Sequence, residues 1–439
     1  MTGCSMTQPE APLGFAQRLQ RDHAVTLAVL GVDAAAQQPR RDALSQLTAL
    51  GLPGLRDDDF RYANLRPLAR AGFAPAAVPG DLATALTPLL PPRLEGFTRC
   101  VLVNGQLATA YSDPMAALAA AGLGLAVNSG GVAQLPPVGP AERFQWLGQA
   151  FAPAPLDLCL GDGVRLELLC VTLPDAQGHA AYPQLRVQVQ PGADVTLVER
   201  HLGGAAGALT NAGVELVVSR DAQLRHCRLQ EQSFEATWID TLRASVAANA
   251  HYQLSLLSLG AATARSSLRL RLSGQGARLV LDGASLADGT RVLDTAIRVE
   301  HEARDTRSEQ LLRAVANDQS GIGIASRVEV AAHAGGADSR QSLKGLITAR
   351  GAEVNLRPQL EILTDEVSAS HGATTGALDD AMLFYLLSRG LDADTARKLL
   401  EWAFIADVMA RIPLPALRRQ VELATVTRMG NAAALESLL

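Results

Sequence analysis

Gly192-Ala193-Asp194-Val195, Asp221-Ala222-Gln223-Leu224, Asn249-Ala250-His251-Tyr252 and Gly276-Ala277-Arg278-Leu279 repeat one signature. In each, a turn-forming residue precedes an alanine, and an alternating apolar–polar run follows. The alanines lie 29, 28 and 27 residues apart, a period that belongs to solenoids, in which each repeat is one supersecondary unit stacked on the next. Alternation of period two begins near Leu156 and persists for some 200 residues. A unit of this length holds two strands and two turns, and it lacks the helical run of leucine-rich or tetratricopeptide repeats. Such coils bury an aliphatic interior between flat sheets. An antiparallel sandwich is the competing arrangement, and the regular beat favours a parallel β-helix over it. Glu302-Ala303 and Gly351-Ala352-Glu353-Val354 extend the beat.

Both flanks read as helical. Phe15, Leu19, Val25, Leu27 and Leu30 recur through a stretch free of glycine and proline. Pro39 opens a second segment in which Leu44, Leu47 and Leu50 recur until Gly51 stops it. Asn104-Gly105 separates Cys100-Val101-Leu102-Val103 from Leu107-Ala108-Thr109-Ala110 and predicts a hairpin. Shorter helices are expected near Pro114 to Ala121 and Ala141 to Phe151. Near the other end, Thr375 or Gly376 begins a helix with Asp379 and Asp380 in its first turn, where carboxylates favour the positive end of the macrodipole. It runs to Gly390; Asp392 caps a second helix and Pro415 starts a third. The fold class is therefore mainly β, a β-helix (solenoid) flanked by N-terminal and C-terminal α-helical regions. The expected divisions are 1–154, mainly helical with a short hairpin; 155–368, the β-helix core; and 369–439, helical.

Of the 439 residues 48% are hydrophobic, enough for a large core. The net charge of −5 gives no global attraction to nucleic acid or to anionic membrane. The longest apolar stretch, Met115 to Val127, is too short and too interrupted by glycine to span a bilayer. Cys4, Cys100, Cys159, Cys170 and Cys227 are far apart and odd in number, without a CxxC pair, which suggests neither a structural zinc site nor a full disulfide framework. No apolar run precedes Cys4, so no lipidation or signal-cleavage site is expected there. These features lead to the expectation of a soluble protein of a reducing compartment.

Motifs for known chemistries are missing: there is no GxxxxGK[ST], HExxH, GxSxG or EF-hand loop. Gly321-Ile322-Gly323 begins a dinucleotide fingerprint without its third glycine, and reads better as a solenoid turn. His226 and Cys227 are neighbours on a strand and so face opposite sides, which predicts a buried thiol and a surface imidazole. His251 and His301 fall at strand edges, and His333 in a turn. Asp282, Asp288 and Asp294 are the carboxylates that a β-helix polysaccharide-active enzyme would gather on one face, an alternative function. Gly283 and Gly289 place the first two at solvated turns.

From Arg357 to Gly390 the chain reads RPQLEILTDEVSASHGATTGALDDAMLFYLLSRG. Its parts are Pro358 to Ile362, Asp365-Glu366-Val367, Ser370 to Thr374, Gly376, and Leu383 to Gly390. This resembles the signature of the SufB/SufD family, which has a P-Q-L-E-I strand, an acidic D-[DE]-V, S-H-G-A-T, a glycine, and a helix ending in LFYL-x-SRG. Upstream, Val299-Glu300-His301, Ser308-Glu309-Gln310, Ser339-Arg340-Gln341 and Ala352-Glu353-Val354 are similar to the family's last solenoid turns. Gly51-Leu52-Pro53 followed by Phe60-Arg61-Tyr62 and Leu65 is similar to the entry of the SufD branch.

The resemblance implies a right-handed parallel β-helix and a cytoplasmic scaffold of iron–sulfur cluster assembly, not an enzyme. It implies two partners, a SufB-like paralogue and a SufC-like ATPase. On the helices from Ala377 to Ala410, Phe384, Tyr385 and Arg389 become candidate ATPase contacts, with Phe384 also expected to pack within the helix hairpin. His371 matches a family histidine proposed as a ligand at the SufB–SufD interface, where an iron–sulfur cluster forms transiently; this chain alone is expected to hold no cofactor firmly. Asp365 or Glu366 is expected to orient that ring. Ala369 stands where some SufD members carry cysteine, and no cysteine follows Cys227. Thiolate is therefore expected from the partner, and the same shortage separates the chain from SufB. A SufB-like homodimeric scaffold, or a homodimer in isolation, is a further alternative.

Overall fold

The computed structural model describes residues 13–30, 34–54, 57–127, 135–175 and 178–430; Cys4 lies outside them. The residue that opens each repeat adopts a left-handed backbone. Gly192 and Gly276 have φ of 72°, and Asp221 and Asn249 have φ of 58° and 56°, a region free to glycine and tolerated by Asn and Asp. Its N–H donates to a carbonyl of the following coil, from Asp221 to Ala248 at 3.0 Å and from Asn249 to Gln275 at 2.9 Å. The alanine that follows is buried in all four repeats and joins the interior core. The beat continues at Asp305-Thr306 and Gly336-Ala337, whose first residues have φ of 59° and 78°, and not at Glu302-Ala303. Thr306 replaces the alanine because its hydroxyl has a buried partner, His301 Nδ1 at 2.8 Å. Gly351-Ala352 precedes a strand of the opposite sheet and marks the other corner of the coil.

Each central coil contributes one strand of about ten residues to each of two sheets. Sheet 1 runs from Thr98–Val103 through Arg165–Thr172, Asp194–Gly203, Gln223–Gln232, His251–Ser258, Arg278–Ala287, Arg307–Ala316 and Ala337–Ile347 to Val367–Gly376. Sheet 2 runs from Leu156–Leu160 through Gln184–Val189, Leu209–Val218, Thr237–Val246, Thr263–Leu272, Val292–His301 and Gly321–Val330 to Glu353–Ile362. Coil-to-coil pairing is parallel and in register over whole strands, as in Thr263–Leu272 with Val292–His301. The starting ends are closed by antiparallel additions, Gln106–Leu107 on sheet 1 and Leu123–Val127 on sheet 2. The Asn104-Gly105 turn has φ of 52° and 86°. The second hairpin strand is only two residues long before a 3-10 turn at Thr109–Tyr111. The solenoid therefore begins before residue 155 on sheet 1, and its last strand carries it past 368 to Gly376. Gly321-Ile322-Gly323 opens a strand, not a turn; a Cβ on Gly323 would lie 2.6 Å from Asp294 Oδ1 and 2.7 Å from Tyr62 Cβ.

Among the described residues eight α-helices surround the coils: α1 (Phe15–Leu30), α2 (Ala34–Leu50), α3 (Leu82–Leu86), α4 (Met115–Ala120), α5 (Arg143–Phe151), α6 (Asp380–Ser388), α7 (Ala393–Met409) and α8 (Pro415–Met429). Pro39 lies inside α2 and does not open it, a position where its missing N–H removes a single bond. Helices α1, α2 and α5 form an aromatic-rich cluster that reaches Leu209 and Ile239 on the outer side of sheet 2. Phe60 joins it, with the Arg265 guanidinium 4.4 Å from its ring centre. Helices α7 and α8 cover the outer side of sheet 1, where Trp402, Ile405, Val408 and Val421 pack on Val198, Leu229 and Leu257. No described helix is long and apolar enough to cross a membrane.

Candidate functional site

Registered pairing stacks equivalent positions into columns. Leu197, His226, Leu254, Leu281, Gln310, Gln341 and His371 occupy one column of sheet 1, and its leucines lie in the interior core. His371 thus sits where side chains turn inward, but Val367–Gly376 is the last strand of its sheet. Every residue from His371 to Gly376 is exposed. The solenoid ends open at this histidine, with one strand edge of each sheet unpaired among the described residues.

Its surroundings differ from expectation in one respect. The Glu366 carboxylate is 2.9 Å from Arg304, not beside the imidazole. Five residues of strand also separate the two positions by about 16 Å. Ala369 is in register with Ser339, two positions before His371. The described cysteines lie on distant coils: burial pushes the Cys100 and Cys227 thiols up to about 12 and holds the Cys170 thiol well above its ordinary value. Among the described residues no three His, Cys, Asp or Glu side chains are arranged to hold a metal ion.

Next to the open end stands α6. Asp379 caps it, accepting from the N–H groups of Ala381 at 2.8 Å and Met382 at 3.0 Å. The helix starts there because Thr375 and Gly376 belong to the last strand. It has no buried residue. Phe384 is 73% exposed and Tyr385 56%, so Phe384 does not pack in the helix hairpin. Arg389, at the C-terminal cap, has its guanidinium 5.2 Å from the Tyr385 ring centre. A groove of about 370 Å³ lies alongside, lined by Lys344, Leu346, Thr375, Met382, Leu400 and Phe404.

A second polar cluster, buried in the middle coils, was not foreseen. His226 is buried, with Nε2 3.0 Å from Glu199 and Nδ1 3.0 Å from the Tyr252 hydroxyl. Arg228 donates to Glu199 at 2.8 and 2.9 Å and to Asp240 at 2.9 and 3.1 Å. Burial alone would push Glu199 up; Arg228 and the two imidazoles of His201 and His226 outweigh it and hold the carboxyl well below the usual range. Alternation correctly separates His226 from Cys227, but the outer side is buried too, because α8 covers Cys227. The strand pattern therefore carried no sign of which residue faced inward. Asp282 and Asp294 are likewise buried on strands and paired with Arg411 and Arg265, while Asp288 occupies a turn beside Arg291.

A parallel β-solenoid with helices on both outer faces and an open, histidine-bearing last coil defines the structural class. Residues 172–404 match the family model described as the SufBD core domain of the SUF system for FeS cluster assembly, and the chain belongs to that family. It is similar to the iron–sulfur cluster assembly protein SufD of Escherichia coli (strain K12), 28% identical over 389 residues that cover 86% of this chain and 89% of that protein. An iron–sulfur cluster assembly SufBD family protein of Synechocystis is 26% identical over 416 residues, covering 86% and 88%. Protein ABCI7, chloroplastic, of Arabidopsis thaliana is 28% identical over 241 residues, covering 54% of this chain and 51% of its own length. The chain is thus a SufD-like member of an iron–sulfur cluster assembly family.

Proposed function

We propose that the chain is a non-enzymatic scaffold subunit of a cytoplasmic complex, pairing with a SufB-like paralogue and docking a SufC-like ATPase. An iron–sulfur cluster assembles transiently at the paired surface. The observation that carries this reading is the open last coil, where unpaired strand edges and the exposed His371 lie together. Unpaired edges recruit strands from other chains, and a neutral imidazole is a suitable iron ligand. Ala369 contributes no ligand, so thiolate comes from the paralogue. In isolation the same edges serve a homodimer. Exposed Phe384, Tyr385 and Arg389 form the ATPase contact; aromatic residues and arginine are the types that dominate interface energetics. The polysaccharide-enzyme reading gains no support from Asp282 and Asp294, which are buried and ion-paired. The test is cluster yield in the co-expressed complex. His371→Ala is expected to lower it while the complex still assembles; an unchanged yield returns His371 to a structural role.

A further inference from the structure

We infer that Gln341 is a positioning residue for His371: its side-chain carbonyl is placed to accept an N–H once the imidazole turns toward it, which fixes the ring nitrogen left free for a ligand. This rests on the reading of His371 as an interface ligand.

The column that ends at His371 changes character along the solenoid. It is leucine at Leu254 and Leu281, then amide at Gln310 and Gln341, then imidazole. Gln310 and Gln341 are 1% and 4% exposed, and Ser326, which bridges them from sheet 2, is fully buried. Buried amides are costly unless hydrogen-bonded, and these two are joined through the serine. Ser326 Oγ donates to Gln310 Oε1 at 2.6 Å. Gln341 Nε2 donates to Ser326 Oγ at 2.9 Å and to the Ser326 carbonyl at 3.2 Å. A backbone carbonyl can only accept, so the amide nitrogen of Gln341 must face Ser326. Its oxygen is thereby turned away from the serine, and this Oε1 is buried with no hydrogen-bond partner among the described residues.

Within a column, in-register side chains of adjacent strands stack about 4.8 Å apart. The next position after Gln341 is His371. An acceptor without a donor thus adjoins a ring that must carry at least one N–H. A neutral imidazole that donates from one nitrogen presents a lone pair at the other. The buried amide–hydroxyl chain sets the orientation of the acceptor before any partner arrives.

The experiment is nitrogen NMR of the full chain with labelled histidine, the His371 signals being assigned with His371→Ala. In the parent, one neutral tautomer of His371 is expected to dominate. Gln341→Met, of similar length but without an acceptor, should shift the tautomer ratio by about fivefold. Gln341→Asn, which retracts the amide, should do the same and serves if the first variant fails to fold. A ratio unchanged in a folded variant overturns the inference. Cluster yield separates the two ideas. If the tautomer responds to Gln341 while His371→Ala leaves the yield intact, the positioning holds and the ligand reading falls.

Discussion

Asp282 lies in the middle of Arg278–Ala287, with one oxygen 3.2 Å from Arg411 and the other buried without a hydrogen-bond partner among the described residues. Burial pushes its carboxyl from the ordinary 3.8 up to about 6, and Arg411 offsets this only in part. The folded state therefore holds this proton more tightly than the unfolded chain does. Its contribution to stability is full below pH 3.8 and is lost as pH rises through about 6. Asp282→Asn should gain on the parent between pH 4 and pH 7, by at most about 3 kcal/mol. Thermal unfolding at both pH values measures this, and a gap that does not change with pH contradicts it. The neighbouring glycine explains why the sequence pointed to a turn here. Gly283 stays in the strand because a Cβ would come 2.8 Å from Leu312 Cδ2, and glycine marks close packing as readily as a turn. His226 misled for a similar reason: local alternation does not show that both sides of its strand are covered.

Elements were most legible where backbone conformation restricts residue type. The Gly, Asp or Asn that opens each repeat identifies a left-handed corner, and the buried alanine after it needs a small side chain. The beat was lost at Asp305-Thr306 because a hydroxyl with a histidine partner can replace the methyl group. Gly276→Ala should cost about 1–2 kcal/mol, since φ is +72° and the new Cβ would lie 2.8 Å from Asn249 Oδ1. Urea unfolding reads this, and an unchanged midpoint would remove the corner from the account. Helices were legible by period, but not which of them face solvent. Helix α6 is apolar in sequence, yet nothing in it is buried. Phe384→Ala is therefore expected to change unfolding stability by less than about 0.5 kcal/mol. Together, Tyr385→Ala and Arg389→Ala should weaken association with the SufC-like ATPase about tenfold or more. Calorimetric titration decides this, and unaltered affinity rejects the two residues as contacts.

At the scale of the molecule, the two ends of the solenoid differ. The starting end carries antiparallel strands, with α4 packed on one of them, while among the described residues the other stops at strands with unpaired edges. The repeat period revealed the stacked coils and the C-terminal motif revealed the family. Neither showed that the last strand reaches Gly376, or that His371 falls on the inward column, because both depend on long-range register. The open end is the basis for reading the chain as a subunit, and co-purification tests that reading most directly. Expressed with SufB-like and SufC-like proteins, the chain is expected to elute with both as one stable complex. If it stays monomeric with both present, the scaffold account is wrong.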